Sequence, residues 1–214
     1  MKMQVAIPLF PQLTALDGIG PYEVLQRVPA FDITFVGHAR GEVRTENGFL
    51  GLTVDATFEE IGHPDVVIVP GGSATRAMMS DVRVLSWLRD VHRTSRFTTS
   101  VCTGSLVLGA AGLLRGLDAT SHWSVLDQLL SLGARPTTRR VVEHLDERII
   151  TAAGVSSGID MALRLVELLV DETVAKASQL MIEYDPQPPF DAGSIARADQ
   201  SVIRRVEQYA SVRQ

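Results

Sequence analysis

The 214-residue sequence contains a single cysteine, Cys102. One cysteine excludes an internal disulfide and suits a reducing compartment. Excess positive charge is missing too. Twenty Lys and Arg stand against 25 Asp and Glu, a formal charge of −5 that offers no footprint for nucleic acid. The five histidines, His38, His63, His92, His122 and His144, are scattered with no pair at ligand spacing, so no metal site is expected. Long hydrophobic runs are absent. The longest, residues 106–114, contains glycines and falls far short of the ~20 residues that span a bilayer. The first residues carry neither the apolar core nor the small-residue cleavage site of a signal peptide. No membrane partner is therefore expected, and the cytoplasm is the expected location.

What is present is an ordinary globular composition, 45% hydrophobic and 21% charged, long enough for one substantial α/β core. Residues 4–10, 33–36, 66–69 and 97–101 are short, continuous and rich in β-branched or aromatic side chains, as strands covered on both faces should be. Helical spacing lies between and after them. Val84, Trp87, Leu88 and Val91 follow Asp81, a potential cap, and Val125, Leu126, Leu129 and Leu130 repeat the pattern. Ile159, Leu163, Val166, Leu169 and Val170 mark a longer helix, and Val174, Ala177 and Met181 another. Residues 49–55 and 141–151 read as antiparallel additions, the second a hairpin turning at Asp146-Glu147. Alternating strands and helices predict a mostly parallel sheet between helix layers. The proline-rich stretch 184–190 stops the last body helix, so residues 1–190 form the expected domain. Residues 191–214 form a tail whose short helix carries Val202, Val206 and Tyr209, packed on the same domain or on a partner subunit.

In such sheets ligands collect at the carboxyl ends of the strands, where three features should meet. Cys102 ends a β-prone run and is followed by Thr103-Gly104-Ser105 and an apolar helical stretch. That order holds a nucleophile on a sharp turn, at a helix N-terminus that favours the thiolate. The competing reading is a small buried hydrophobe. Gly71-Gly72 follows the strand at 66–69 and provides either anion-binding N–H groups or a plain turn. Asp17 follows the first strand and is either a helix N-cap or a working carboxyl group. His122 is the one histidine placed near Cys102, as its base or simply as a packed ring.

Rival motifs fall away. Gly154-Val155-Ser156-Ser157-Gly158 matches a serine elbow, but no histidine follows it to complete a triad in the usual order. A glycine-rich turn with Ser156 or Ser157 as helix cap is the expected role. Gly18 and Gly20 do not complete a dinucleotide fingerprint, and there is no phosphate-loop sequence.

Together these residues resemble the ThiJ/PfpI superfamily, relatives of the class I glutamine amidotransferases. The resemblance is carried by Ser100 to Trp123, by Leu16-Asp17-Gly18-Ile19-Gly20-Pro21-Tyr22-Glu23-Val24-Leu25, by Val69-Pro70-Gly71-Gly72, and by residues 153–160. It implies a flavodoxin-like three-layer sandwich, a cysteine on a strained elbow and a homodimer. Asp17, the Cys102-Thr103 pair and the 183–190 segment are most similar to the isocyanide-hydrating branch. That branch implies a lyase acting on a small-molecule isocyanide without cofactor or metal. Cys102 would be the nucleophile, Asp17 the proton carrier, and Thr103 the holder of Asp17 or water. Gly72, Gly71, Val155 and His122 would line the substrate or oxyanion site. Thr103 departs from the related peptidases, which place histidine after the cysteine. The same motifs occur in sensor domains of transcription regulators, so a redox switch at Cys102 and glyoxalase-type chemistry are the alternative functions.

Overall fold

A computed structural model describes residues 2–212, with side chains through Ala210. Eleven strands and eight helices follow in chain order, beginning with β1 (Met3–Pro8), α1 (Ala15–Leu25), β2 (Phe31–Gly37), β3 (Gly41–Arg44), β4 (Gly51–Val54), β5 (Ala56–Thr57) and β6 (Val66–Val69). Next come α2 (Thr75–Met78), α3 (Val82–His92), β7 (Phe97–Val101), α4 (Gly104–Ala110), β8 (Asp118–Ala119), α5 (Gln128–Ser131) and β9 (Arg135–Pro136). The chain then forms β10 (Val141–His144), β11 (Ile149–Ala152), α6 (Ser157–Leu169), α7 (Glu172–Met181) and α8 (Gln200–Val212).

Seven strands form one sheet in the order β10-β11-β7-β6-β1-β2-β5. Every pairing is parallel except β10 with β11. β6 shows why the sheet is buried on both sides. Val66 and Ile68 enter a core with α1, α6 and α7, whereas Val67 and Val69 enter a second core with α3 and α4. The strand order reverses between β1 and β6, and crevices at such reversals hold ligands in open α/β sheets. The flavodoxin-like expectation holds.

Several local expectations are refined. β6 and β7 match their predicted ranges, and Asp81 does cap α3, its carboxylate accepting from Arg83 and Val84 N–H at 3.0 and 3.3 Å. The hairpin is β10–β11. β4, within 49–55, pairs only with β3, as a separate ribbon off the main sheet. The helix expected through Val125–Leu130 breaks into a 3₁₀ turn (Trp123–Val125) and α5, leaving Leu130 61% exposed. α7 buries Ala175 and Ser178 in place of Ala177 and Met181, because the Ser178 hydroxyl donates to the Val24 carbonyl of α1 at 2.7 Å.

The chain divides into two compact units, Met1–Ile182 and Glu183–Gln214, so residues 183–190 group with the tail. The second unit contains irregular chain, an Arg197–Asp191 ion pair at 2.7 Å, and α8. Among the described residues, no helix is long and apolar enough to cross a membrane.

Candidate active site

Cys102 leaves β7 with φ +58°, in the left-handed region. A residue with a Cβ pays about 1–2 kcal/mol there and needs its surroundings to hold it. Here they do. The Cys102 N–H lies 3.1 and 2.8 Å from the Ala152 and Ala153 carbonyls, and its own carbonyl accepts from Ser105 Oγ and Ser121 Oγ at 3.2 and 3.0 Å. Two residues on, Gly104 starts α4 against β6, where a Cβ would overlap the Val69 carbonyl oxygen. The thiol is only 4% exposed, and the N–H groups of Thr103 and Val155 are directed at its sulfur. Val155 holds φ +30° at its own strand-to-helix corner.

Asp17 is fully buried in the first turn of α1. Thr14 occupies the N-cap position, which removes the capping reading of Asp17. Pro21, four residues on, lacks the N–H that would bind the Asp17 carbonyl. The Asp17 side chain turns inward. Its Oδ2 accepts from the Gly71 N–H at 2.9 Å, and its Oδ1 is buried with no partner. Gly71 must be glycine, since a Cβ would overlap the Thr103 hydroxyl and reach Asp17 Oδ2 at 3.0 Å.

Cys102 and Asp17 lie close enough for each to act on the other's proton affinity. Burial pushes Asp17 from 3.8 up to about 7, against the pull of the Gly71 N–H and the thiol. Burial, then the Asp17 charge, pushes Cys102 up to about 12, against the N–H groups of Val155 and Thr103. The helix-favoured thiolate expected from sequence is thus outweighed in the resting protein. Two negative charges cannot share this buried site, so the pair keeps at least one proton, a single one above about pH 7 and two below it.

The remaining expected residues fall into distinct places. The Thr103 hydroxyl accepts from the Gly72 N–H at 2.9 Å and meets Thr75 Oγ1 at 2.7 Å, and it makes no bond to Asp17. The same contact engages the Gly72 N–H, so neither paired glycine presents a free donor for an oxyanion. Gly72, at φ +152°, has room for no Cβ beside Gln12 and Leu13. His122 does not pair with Cys102. Its Nδ1 lies 2.7 Å from Ser124 Oγ and its ring rests on Gly154, while burial lowers its proton affinity. Ser156 makes no side-chain cap, and the Ser157 hydroxyl donates back to the Gly154 carbonyl at 2.7 Å. Among the described residues, no three His, Cys, Asp or Glu side chains are grouped to hold a metal. Sequence reasoning missed the Val155 N–H, which a side-chain pattern cannot reveal, and Glu46, whose charge acts on both Asp17 and His122.

A buried acid–thiol pair on a strained elbow, at the reversal of a parallel sheet, defines a class. Residues 3–168 match the DJ-1/PfpI family, and the chain belongs to it. Within reach of that family, the chain is 42% identical to the isonitrile hydratase of Pseudomonas putida, over 99% of this chain and 91% of that protein. It is 30% identical to the HTH-type transcriptional regulator CdhR of Pseudomonas aeruginosa, over 75% of this chain but 48% of the regulator. Among solved structures, a ThiJ/PfpI family protein from Pseudomonas syringae superposes with a TM-score of 0.92 at 39% identity, covering all of this chain and 88% of that one. Drosophila melanogaster DJ-1beta, at 22% identity and a TM-score of 0.77 over 86% of this chain and 98% of its own, shares the fold.

Proposed function

We propose that this chain is an isocyanide hydratase, a cofactor-independent lyase converting R–N≡C and water to the formamide R–NH–CHO. The observation that carries the chemistry is the buried Asp17–Cys102 pair with Asp17 Oδ1 unpartnered. The choice of substrate rests on the 42% identity, over nearly the whole chain, to the Pseudomonas putida isonitrile hydratase.

The reaction begins when the shared proton moves from sulfur to Asp17, and the thiolate is held by the Thr103 and Val155 N–H groups. Sulfur bonds to the isocyanide carbon as Asp17 delivers its proton to that same carbon, giving the thioimidate R–N=CH–S–Cys102. Asp17, now a carboxylate, takes a proton from water as the water oxygen bonds to the carbon. That proton passes to nitrogen, giving R–NH–CH(OH)–S–Cys102. The C–S bond then breaks, the hydroxyl proton returns to the Asp17–Cys102 pair, and the formamide leaves. One water is consumed and the pair ends with the proton it began with.

Burial of Cys102, and the proton held beside it, weigh against the alternative of a fast redox switch, which needs an exposed thiolate. We propose further that the enzyme works as a homodimer in the cytoplasm, where a lone thiol stays reduced. Infrared spectroscopy tests the activity directly. The wild type should erase the isocyanide stretch of a simple alkyl isocyanide while a formamide carbonyl grows. Cys102→Ala should be inactive and Asp17→Asn slower by roughly 10²–10⁴. Undiminished turnover by Cys102→Ala would remove the covalent mechanism.

A further inference from the structure

The loop between β3 and β4 is tied to the two loops that flank the site. The Gln12 N–H donates to the Arg44 carbonyl at 2.7 Å, and the Glu46 N–H to the Leu13 carbonyl at 3.2 Å. Glu46 Oε1 accepts from the Ser73 N–H at 3.1 Å. Leu13 bridges to Gly72, and Ser73 follows it, so these bonds seat Glu46 on the corner that holds Asp17 and Thr103. The Glu46 side chain is exposed, and among the described residues no lysine or arginine pairs with it. Its charge is felt at Asp17 and also at His122, whose ring rests on Gly154 beside Val155. An unneutralised carboxylate at the rim of a buried crevice focuses a negative field on whatever enters.

We propose that the Glu46 carboxylate sets the charge selectivity of the Cys102 site, admitting neutral and cationic molecules and disfavouring anionic ones. As a statement about substrates this rests on the proposed isocyanide hydration: isocyanides bearing an acid group close to the reacting carbon are poor substrates. As a statement about the site it stands on its own, because Cys102 is the only thiol and reports on any electrophile that reaches it.

The test pairs two alkylating reagents of similar size, iodoacetamide (neutral) and iodoacetate (anionic), with Cys102 modification followed by intact mass. Glu46→Gln keeps an acceptor for the Ser73 N–H and removes the charge. It should lower the iodoacetamide-to-iodoacetate rate ratio about fivefold, the effect of one charge several ångströms away at intermediate dielectric. Glu46→Lys should lower it further, and salt at about 0.5 M should shrink the wild-type preference. Asp90→Asn makes the same charge change near the C-terminal end of α3, at the opposite end of the sheet from Cys102, and should leave the ratio alone. An unchanged ratio in both Glu46 variants overturns the proposal. In parallel, a neutral alkyl isocyanide and isocyanoacetate are compared as substrates. If the wild type hydrates neither, the isocyanide function falls while the alkylation ratio still decides the role of Glu46. If it hydrates both with a preference that Glu46→Gln leaves intact, the Glu46 proposal falls alone.

Discussion

Asp17 is the residue where burial and chemistry meet most sharply. A carboxyl group with no exposed surface whose proton affinity rises to about 7 makes stability depend on pH. The folded state binds the proton more tightly than the unfolded chain does. The associated stability is therefore fully present below the unfolded value of 3.8 and is lost as pH rises through about 7. Asp17→Asn removes the buried charge and keeps an oxygen for the Gly71 N–H. In urea titrations the variant should be more stable than wild type at pH 8, by on the order of 3 kcal/mol, with the gap closing toward pH 4. Equal stability at both pH values would mean that Asp17 carries no unfavourable charge. Its setting was only half legible in the sequence. Gly18, Gly20 and Pro21 weaken the helical signal of α1, so the carboxylate reads as preceding a helix that it in fact joins.

At the scale of elements, legibility followed how far one segment determines its own surroundings. β6 and β7 are continuous buried strands, and α3 has a strong apolar face with a capping aspartate, so each emerged near its true bounds. In α7 two of the three residues that mark the expected apolar face, Ala177 and Met181, are exposed, while Ser178 is buried through a bond to a helix more than 150 residues earlier. The corners were legible as glycine patterns, but their purpose was not. What Gly104 avoids is a carbonyl from another strand, which no local pattern states. Gly104→Ala should therefore cost on the order of 3 kcal/mol in chemical denaturation, well above the few tenths typical of surface changes, since backbone and not a flexible side chain must yield. A change under 1 kcal/mol would show that α4 can slide away from β6 freely.

For the molecule as a whole we propose a homodimer, and the described first unit leaves several large apolar side chains in the open, Leu180 and Met181 among them. Sedimentation equilibrium should return twice the 23.3 kDa chain mass, and a single-chain mass across the micromolar range would exclude the dimer. The proposed acid–thiol pair also sits where the two layers of the sandwich meet at the end of β7. Asp17 rides on α1, and the Cys102 side chain packs in the same core as that helix, whereas α4, which begins two residues after Cys102, packs in the core on the other face. Neither layer can drift without changing the spacing between acid and sulfur. The Cys102 titration is thus a gauge of the register between two otherwise separate cores. Substitutions deep in either one, far from any substrate, should register first as altered thiol reactivity and only later as lost structure.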